Sequence, residues 1–213
     1  ASEIIKRYIS LGNTLDTTAL NAIGTKYMCL LNETELNMID PENLKMASLN
    51  ISACSQRAKE ILYDKAKRAF SSQRYPADYY MLIEPYLGGA PSKDLRALSK
   101  DNVNMKVSTF AKLRRDSVMN LTISDVQALL GSNLKDLHKW QDKSPVREWV
   151  QTQKQSELDK LQAGLTGGTQ EGYFNIVTPK FQPPSSASQG TVAMTLHLLP
   201  ALLLTFLMIS VLS

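Results

Sequence analysis

The sequence predicts an all-α protein, a right-handed superhelix of short helical hairpins followed by an extended C-terminal stalk. Three observations carry this. Ala58, Ile61, Leu62, Ala66, Ala69 and Phe70 recur at helical spacing and form one apolar stripe, interrupted only by Lys65. Cap residues stand before several short apolar runs, where the first N–H groups of a helix need acceptors. No comparable run alternates apolar and polar residues in the way of a half-buried strand.

Helices are expected at residues 3–9, 17–31, 33–39, 41–47, 55–71, 77–87, 92–98, 107–115, 123–130 and 145–162. Asp40-Pro41 places a cap residue before a proline at the first helical position, and Ser144-Pro145 repeats the device. Gly88-Gly89 closes the helix before it, as do Gly131 and Gly164 further on. Thr122 and Asp125 read as a capping box with Asp in place of Glu. A turn bearing Ser, Thr or Asn, then an acid, then Leu or Val recurs at Asn32-Glu33-Thr34-Glu35-Leu36, Ser92-Lys93-Asp94-Leu95 and Thr122-Ile123-Ser124-Asp125-Val126. Short capped helices with brief turns suit a stack in which each hairpin buries its stripe on its neighbours, rather than a closed four-helix bundle.

Three regions follow. Residues 1–164 form the helical repeat domain, 165–190 a Gly-rich arm and flexible stalk, and 191–213 a hydrophobic tail. Glycines spoil helix formation after Gly164, and the apolar run from Tyr173 to Val177 is expected as a short edge strand or an arm lying on the last helices. The tail is long enough to span a bilayer, yet no Lys or Arg follows it to fix its orientation. A chargeless small-residue stretch, Pro183-Pro184-Ser185-Ser186-Ala187-Ser188-Gln189-Gly190, precedes it. Small residues, a spacer and a terminal apolar tail are together the signal for a GPI anchor, in which the tail is removed and replaced by lipid. Ser186 is the expected attachment residue, with Ser185 and Ser188 as alternatives. The competing expectation is a single C-terminal membrane helix, against which Pro200 stands because it removes a backbone hydrogen bond.

A GPI signal serves a protein on the secretory route, so an upstream signal peptide is implied; the sequence opens at Ala1 and reads as a fragment or processed product. Asn32-Glu33-Thr34, Asn50-Ile51-Ser52 and Asn120-Leu121-Thr122 are N-glycosylation sequons that agree with that compartment. The two cysteines, Cys29 and Cys54, form no CxxC and no zinc ligand set. In an oxidising compartment such a pair commonly forms a disulfide, and closing a loop of about 25 residues stabilises by about 3.5 kcal/mol through lost chain entropy. Two unpaired buried thiols are the alternative.

The formal charge of +4 is modest, and its basic residues are dispersed among acids. The nearest approaches to patches are Lys65, Lys67 and Arg68, and Lys112, Arg114 and Arg115, which read as solvated helix faces rather than a nucleic-acid surface. Catalytic chemistry finds little support. Of the two histidines, His197 lies in the tail and His138 sits beside Lys139 and Trp140 at an expected helix end, a surface or capping position. There is no Gly-x-Ser-x-Gly and no phosphate-binding loop. No enzyme, cofactor or metal is expected. Trp140 and Trp149 flank a hairpin and read as packing residues.

The chain resembles the mesothelin family, which includes the otoancorin and stereocilin group. The likeness runs through Tyr63-Asp64-Lys65-Ala66-Lys67-Arg68-Ala69-Phe70, Leu87-Gly88-Gly89-Ala90-Pro91, Asp94-Leu95 and Ala97-Leu98-Ser99. It continues in Thr109-Phe110, Lys112-Leu113-Arg114, Leu121-Thr122, Val126-Gln127-Ala128-Leu129-Leu130-Gly131 and Pro145-Val146-Arg147-Glu148-Trp149. Leu158-Asp159, Gly164-Leu165, Gly167-Gly168 and Gly172-Tyr173 complete it, and Tyr27-Met28-Cys29 and Cys54 fall where the family keeps a cysteine pair.

The resemblance implies a superhelix of the armadillo or HEAT kind, a Cys29–Cys54 disulfide, surface glycans and a GPI anchor on the outer leaflet of the plasma membrane. It also implies cell adhesion through a heavily glycosylated cell-surface mucin. The inner-ear relatives suggest a second role, attaching cells to an extracellular matrix gel. Two departures stand out. The family's mucin-contacting region lies upstream of this sequence, and Asn102-Val103-Asn104 occupies a family sequon position without being a sequon.

Overall fold

The computed structural model of the chain describes residues 2–47 and 49–172. Helices follow one another along them: α1 Ser2–Ser10, α2 Thr17–Met28, α3 Glu33–Asn37, α4 Gln56–Ala69, α5 Pro76–Ile83, α6 Ser92–Ser99, α7 Val107–Phe110, α8 Arg115–Met119, α9 Ile123–Leu130, α10 Val146–Thr152 and α11 Gln155–Lys160. Tighter 3-10 turns fill Pro41–Leu44, Ile51–Ala53, Glu84–Gly89 and Gly131–Trp140. The only strand-like pairing among the described residues is a single bridge between Lys154 and Thr169. The fold is all-α, as the sequence predicts. The described residues fall within one compact unit, Ala1–Tyr173.

A recurring local device starts these helices. One buried apolar residue sits just before the N-cap and a second lies five positions later: Leu15 and Leu20, Leu31 and Leu36, Ile39 and Leu44, Ala90 and Leu95, Met105 and Phe110, Leu113 and Val118, Leu121 and Val126. This is the spacing of a hydrophobic staple, which fixes the angle at which the chain enters a helix. Between the members stand the caps. Asp16 accepts from the Ala19 N–H, Asn32 and Glu35 form a reciprocal capping box, and Thr122 and Asp125 form another. Asp40 caps the Pro41 turn.

The layers are tied by hydrogen bonds of one characteristic reach. Among the described residues up to Trp149, the side-chain hydrogen bonds between separate elements span 24 to 32 residues, while the Arg114–Glu60 ion pair reaches further. Ser117 Oγ donates to Ala90 O at 2.8 Å, Trp149 Nε1 to Leu121 O at 2.9 Å, and Asn133 Nδ2 to Asn104 O at 2.9 Å. Segments about 24 to 32 residues apart are thus bonded to one another.

Lys65 explains the break in its own stripe. Its Nζ donates to Asn37 O at 2.9 Å and to Ile39 O at 2.6 Å, satisfying carbonyls left over at the end of α3. Burial lowers its pKa below the ordinary lysine value. The basic cluster read as a solvated face is therefore corrected at this residue. Lys67 likewise pairs with Asp94 at 2.8 Å, and Arg114 with Glu60 at 3.0 Å.

Several element boundaries differ from expectation. The helix foreseen at residues 107–115 stops at Phe110, and an unforeseen helix, α8, starts at Arg115, where Leu113 serves as the buried staple residue of a new start. The one foreseen at 145–162 divides at Gln153, whose extended backbone (φ −86°, ψ 154°) lets its carbonyl accept from Thr169 N–H at 2.8 Å. The α2 helix is kinked at Gly24, where φ is +66°, and ends at Met28 rather than at residue 31. Pro145 is the N-cap rather than the first helical residue, and its bond to Ser144 is cis. The turn Gly131–Trp140 has no counterpart among the expected helices.

Glycines mark two close approaches. A Cβ on Gly89 would lie 2.1 Å from the Lys59 carbonyl oxygen, so the Glu84–Gly89 turn packs directly on the α4 backbone. Gly131, at φ +49°, leaves the same small clearance to Asn104 Oδ1.

Candidate functional site

The features of functional interest gather at the junction of α2, α3 and the turns that follow them. Cys29 caps the end of α2 and Cys54 ends the Ile51–Ala53 turn. The two sulfurs are bonded, with the Cα atoms 4.6 Å apart and the cysteines 25 positions apart in sequence. The cross-link encloses α3 and the Asp40-capped turn in one covalent loop.

All three sequon asparagines are exposed, and they occupy three different local settings. Asn32 is the N-cap of α3, accepting from Glu35 N–H at 2.9 Å through Oδ1. Asn50 is the N-cap of the Ile51–Ala53 turn, accepting from Ser52 N–H at 3.1 Å through Oδ1, while its own N–H donates to Thr25 Oγ1 at 3.0 Å. In both, the cap bond uses oxygen, and a glycan would be carried by nitrogen. Asn120 differs: it ends α8, and its Nδ2 donates to Asp116 O at 2.7 Å.

Beside Asn50 lies an open cleft of about 310 Å³, bounded by the Glu84–Gly89 turn and by Thr109 and Lys112. Thr109 Oγ1 donates to Glu84 Oε1 at 2.7 Å across it. A second cavity, of about 480 Å³ and lined largely by apolar side chains, opens between α1 and α2 around Ile4, Tyr8, Ala22 and Tyr27.

His138 is exposed, with Nδ1 2.6 Å from Lys135 O. Among the described residues, no group of three His, Cys, Asp or Glu side chains is placed to hold a metal ion. Asp94 gathers Lys67 and the Tyr63 hydroxyl, which donates to it at 3.0 Å. Burial foremost, with the Asp94 charge, holds the Tyr63 hydroxyl well above the ordinary tyrosine range. That cluster ties α4 to α6. Trp149 is fully buried, and Trp140 is half-buried beneath the Lys143 ammonium, 4.7 Å from the ring centre.

The sequence signals foresaw Cys29 and Cys54 together and placed the three asparagines near helix junctions. They missed the cleft beside Asn50, because Glu84, Thr109 and Lys112 approach it from chain segments that no local pattern links. Ser185, Ser186 and Ser188, the apolar run at 173–177 and the tail at 191–213 lie outside the described residues. No helix among the described residues is long and apolar enough to cross a membrane.

Comparison with known proteins bears on identity. A family model described as Mesothelin matches residues 1–212. Mouse mesothelin is 37% identical over 214 residues, covering 96% of this chain and 34% of its own length. Rat mesothelin is 40% identical over 181 residues, covering 81% of this chain and 29% of its own. Human mesothelin-like protein is 32% identical over 174 residues, covering 74% and 25%. The chain thus spans about a third or less of the length of these relatives. With the family's model matching nearly every residue and the cysteine pair joined, the chain belongs to the mesothelin family.

Proposed function

We propose that the protein is a non-enzymatic, GPI-anchored cell-surface glycoprotein that works in cell adhesion, with a heavily glycosylated mucin as its partner. Family membership is the observation that carries this reading. The small-residue stretch before the apolar run supports anchoring at Ser186, and the exposed asparagines of three sequons support glycosylation. The disulfide fits the oxidising compartment such a protein passes through.

The stack is read as a right-handed superhelix that presents adhesive surface above the membrane. Repeat stacks offer extended faces for large partners, a role that needs no catalytic cleft. Lys112 and Arg115, both exposed, supply positive charge that favours encounter with an acidic, sialylated mucin.

The test is an adhesion assay. Cells displaying the chain, together with the upstream segments of the longer relatives, are expected to bind mucin-coated surfaces. Reversing Arg115 to Glu is expected to weaken that binding most at low salt, without shifting the melting temperature. Binding to a matrix gel but not to mucin would favour the attachment role instead.

A further inference from the structure

We propose that the cleft beside Asn50 is the seat of the first sugar of an N-glycan carried by that residue, so that the glycan is part of the fold's packing. This rests on the reading of the protein as a secretory-route glycoprotein. The sequon asparagine itself lines the cleft, together with the buried apolar Leu49, Ile51 and Leu87 and with the polar Glu84, Thr109 and Lys112. A pyranose has an apolar face of C–H groups and an edge of hydroxyls. The apolar lining suits the first and the polar lining the second, since carboxylate and hydroxyl accept and the ammonium donates.

Asn50 is held at both ends, by the Thr25 bond to its N–H and by the Ser52 bond to its Oδ1, so its Nδ2 is presented from a fixed support. Asn32 is held in the same way by Glu35, and what distinguishes Asn50 from it is that Asn50 lines the cleft. Asn120 already commits its Nδ2 to Asp116 O. The cleft has about 310 Å³, at the small end of the range of about 300 to 1,000 Å³ found for small-molecule sites. Lys112, moreover, takes part in no ion pair among those of the described residues, which leaves its ammonium available to a sugar oxygen.

Attachment itself is ordinary glycosyl transfer from a lipid-linked oligosaccharide pyrophosphate. The Asn50 amide nitrogen forms the C–N bond at the anomeric carbon, the C–O bond to pyrophosphate breaks, and the amide gives up one proton. The folded consequence is new. The sugar adds to the contact that the Ile51–Ala53 turn already makes with the Glu84–Gly89 turn and extends it to α7.

The experiment uses the full chain made in mammalian cells, with its glycans trimmed enzymatically to a single N-acetylglucosamine per site. It is compared with Ser52→Ala, which keeps Asn50 but abolishes the sequon, and with Asn50→Asp, which keeps the cap acceptor without the sugar. The sugar-bearing chain is expected to melt about 2 to 4 °C higher than both variants. Amide exchange over residues 84–88 and 109–112 is expected to slow at least about threefold. Lys112→Glu should remove much of that protection. An N-acetylglucosamine present on Asn50 with unchanged melting and exchange would overturn the inference alone. So would sugar on Asn32 or Asn120 but none on Asn50. Sugar at none of the three would overturn both the inference and the glycoprotein reading beneath it.

Discussion

At the scale of single residues, stability rests on a few side chains whose partners lie one layer away. Lys65→Met should remove two charge-assisted bonds and strand the Asn37 and Ile39 carbonyls, at a cost of about 2 to 3 kcal/mol in chemical denaturation. Phe110 and Trp149 are fully buried, and truncating either to Ala should cost about 3 to 5 kcal/mol. Tyr86 gives a titration test. Burial pushes its hydroxyl up from 10.0 to about 12, so the unfolded chain loses this proton first as pH rises. Its contribution is complete below pH 10 and is lost as pH climbs from 10 towards about 12, at up to about 1.4 kcal/mol per pH unit. Stability measured across that range should fall less steeply in Tyr86→Phe. The sequence made Trp149 legible as a packing residue. Lys65 was not legible, because its acceptors are 26 and 28 residues distant and a stripe predicts only apolar contact.

At the scale of elements, the staple is the unit that repeats, and it shows why part of the architecture was readable and part was not. Asn32 and Thr122 announced their helices because their side chains cap them. The starts at Pro91, Lys106 and Arg114 have no side-chain cap bond, so the cap signal is silent there, the expected helix overran α7 and α8 was not foreseen. The signal that would have separated them is the five-residue spacing of Met105 to Phe110 and Leu113 to Val118. Glycine at position 89 reads in sequence as a helix stop, while in the fold it is a point of contact between backbones. Gly89→Ala should therefore lower stability by about 1 to 3 kcal/mol, since the Lys59 backbone has little freedom to retreat. The urea midpoint should shift accordingly, and amide exchange in α4 should quicken around Lys59.

At the scale of the whole molecule, bonds reaching 24 to 32 residues make each layer depend mainly on its neighbours. Damage should then stay local. Reduction of Cys29–Cys54 releases a loop of 25 residues and should cost about 3.5 kcal/mol, with faster amide exchange over α2 and α3 than over α9 and α10. The all-α class was legible from stripes and caps, and the family from its motifs, whereas the cleft at Asn50 arises only when distant layers are stacked. The central claim is that this stack is carried on the cell surface by lipid attached in place of the apolar tail. Treating intact cells with phosphatidylinositol-specific phospholipase C tests it most directly. Release of the mature protein, lacking any peptide from residues 202–207, is the predicted result. Retention on the cells, with that peptide recovered from the mature protein, would contradict it and establish a membrane helix instead.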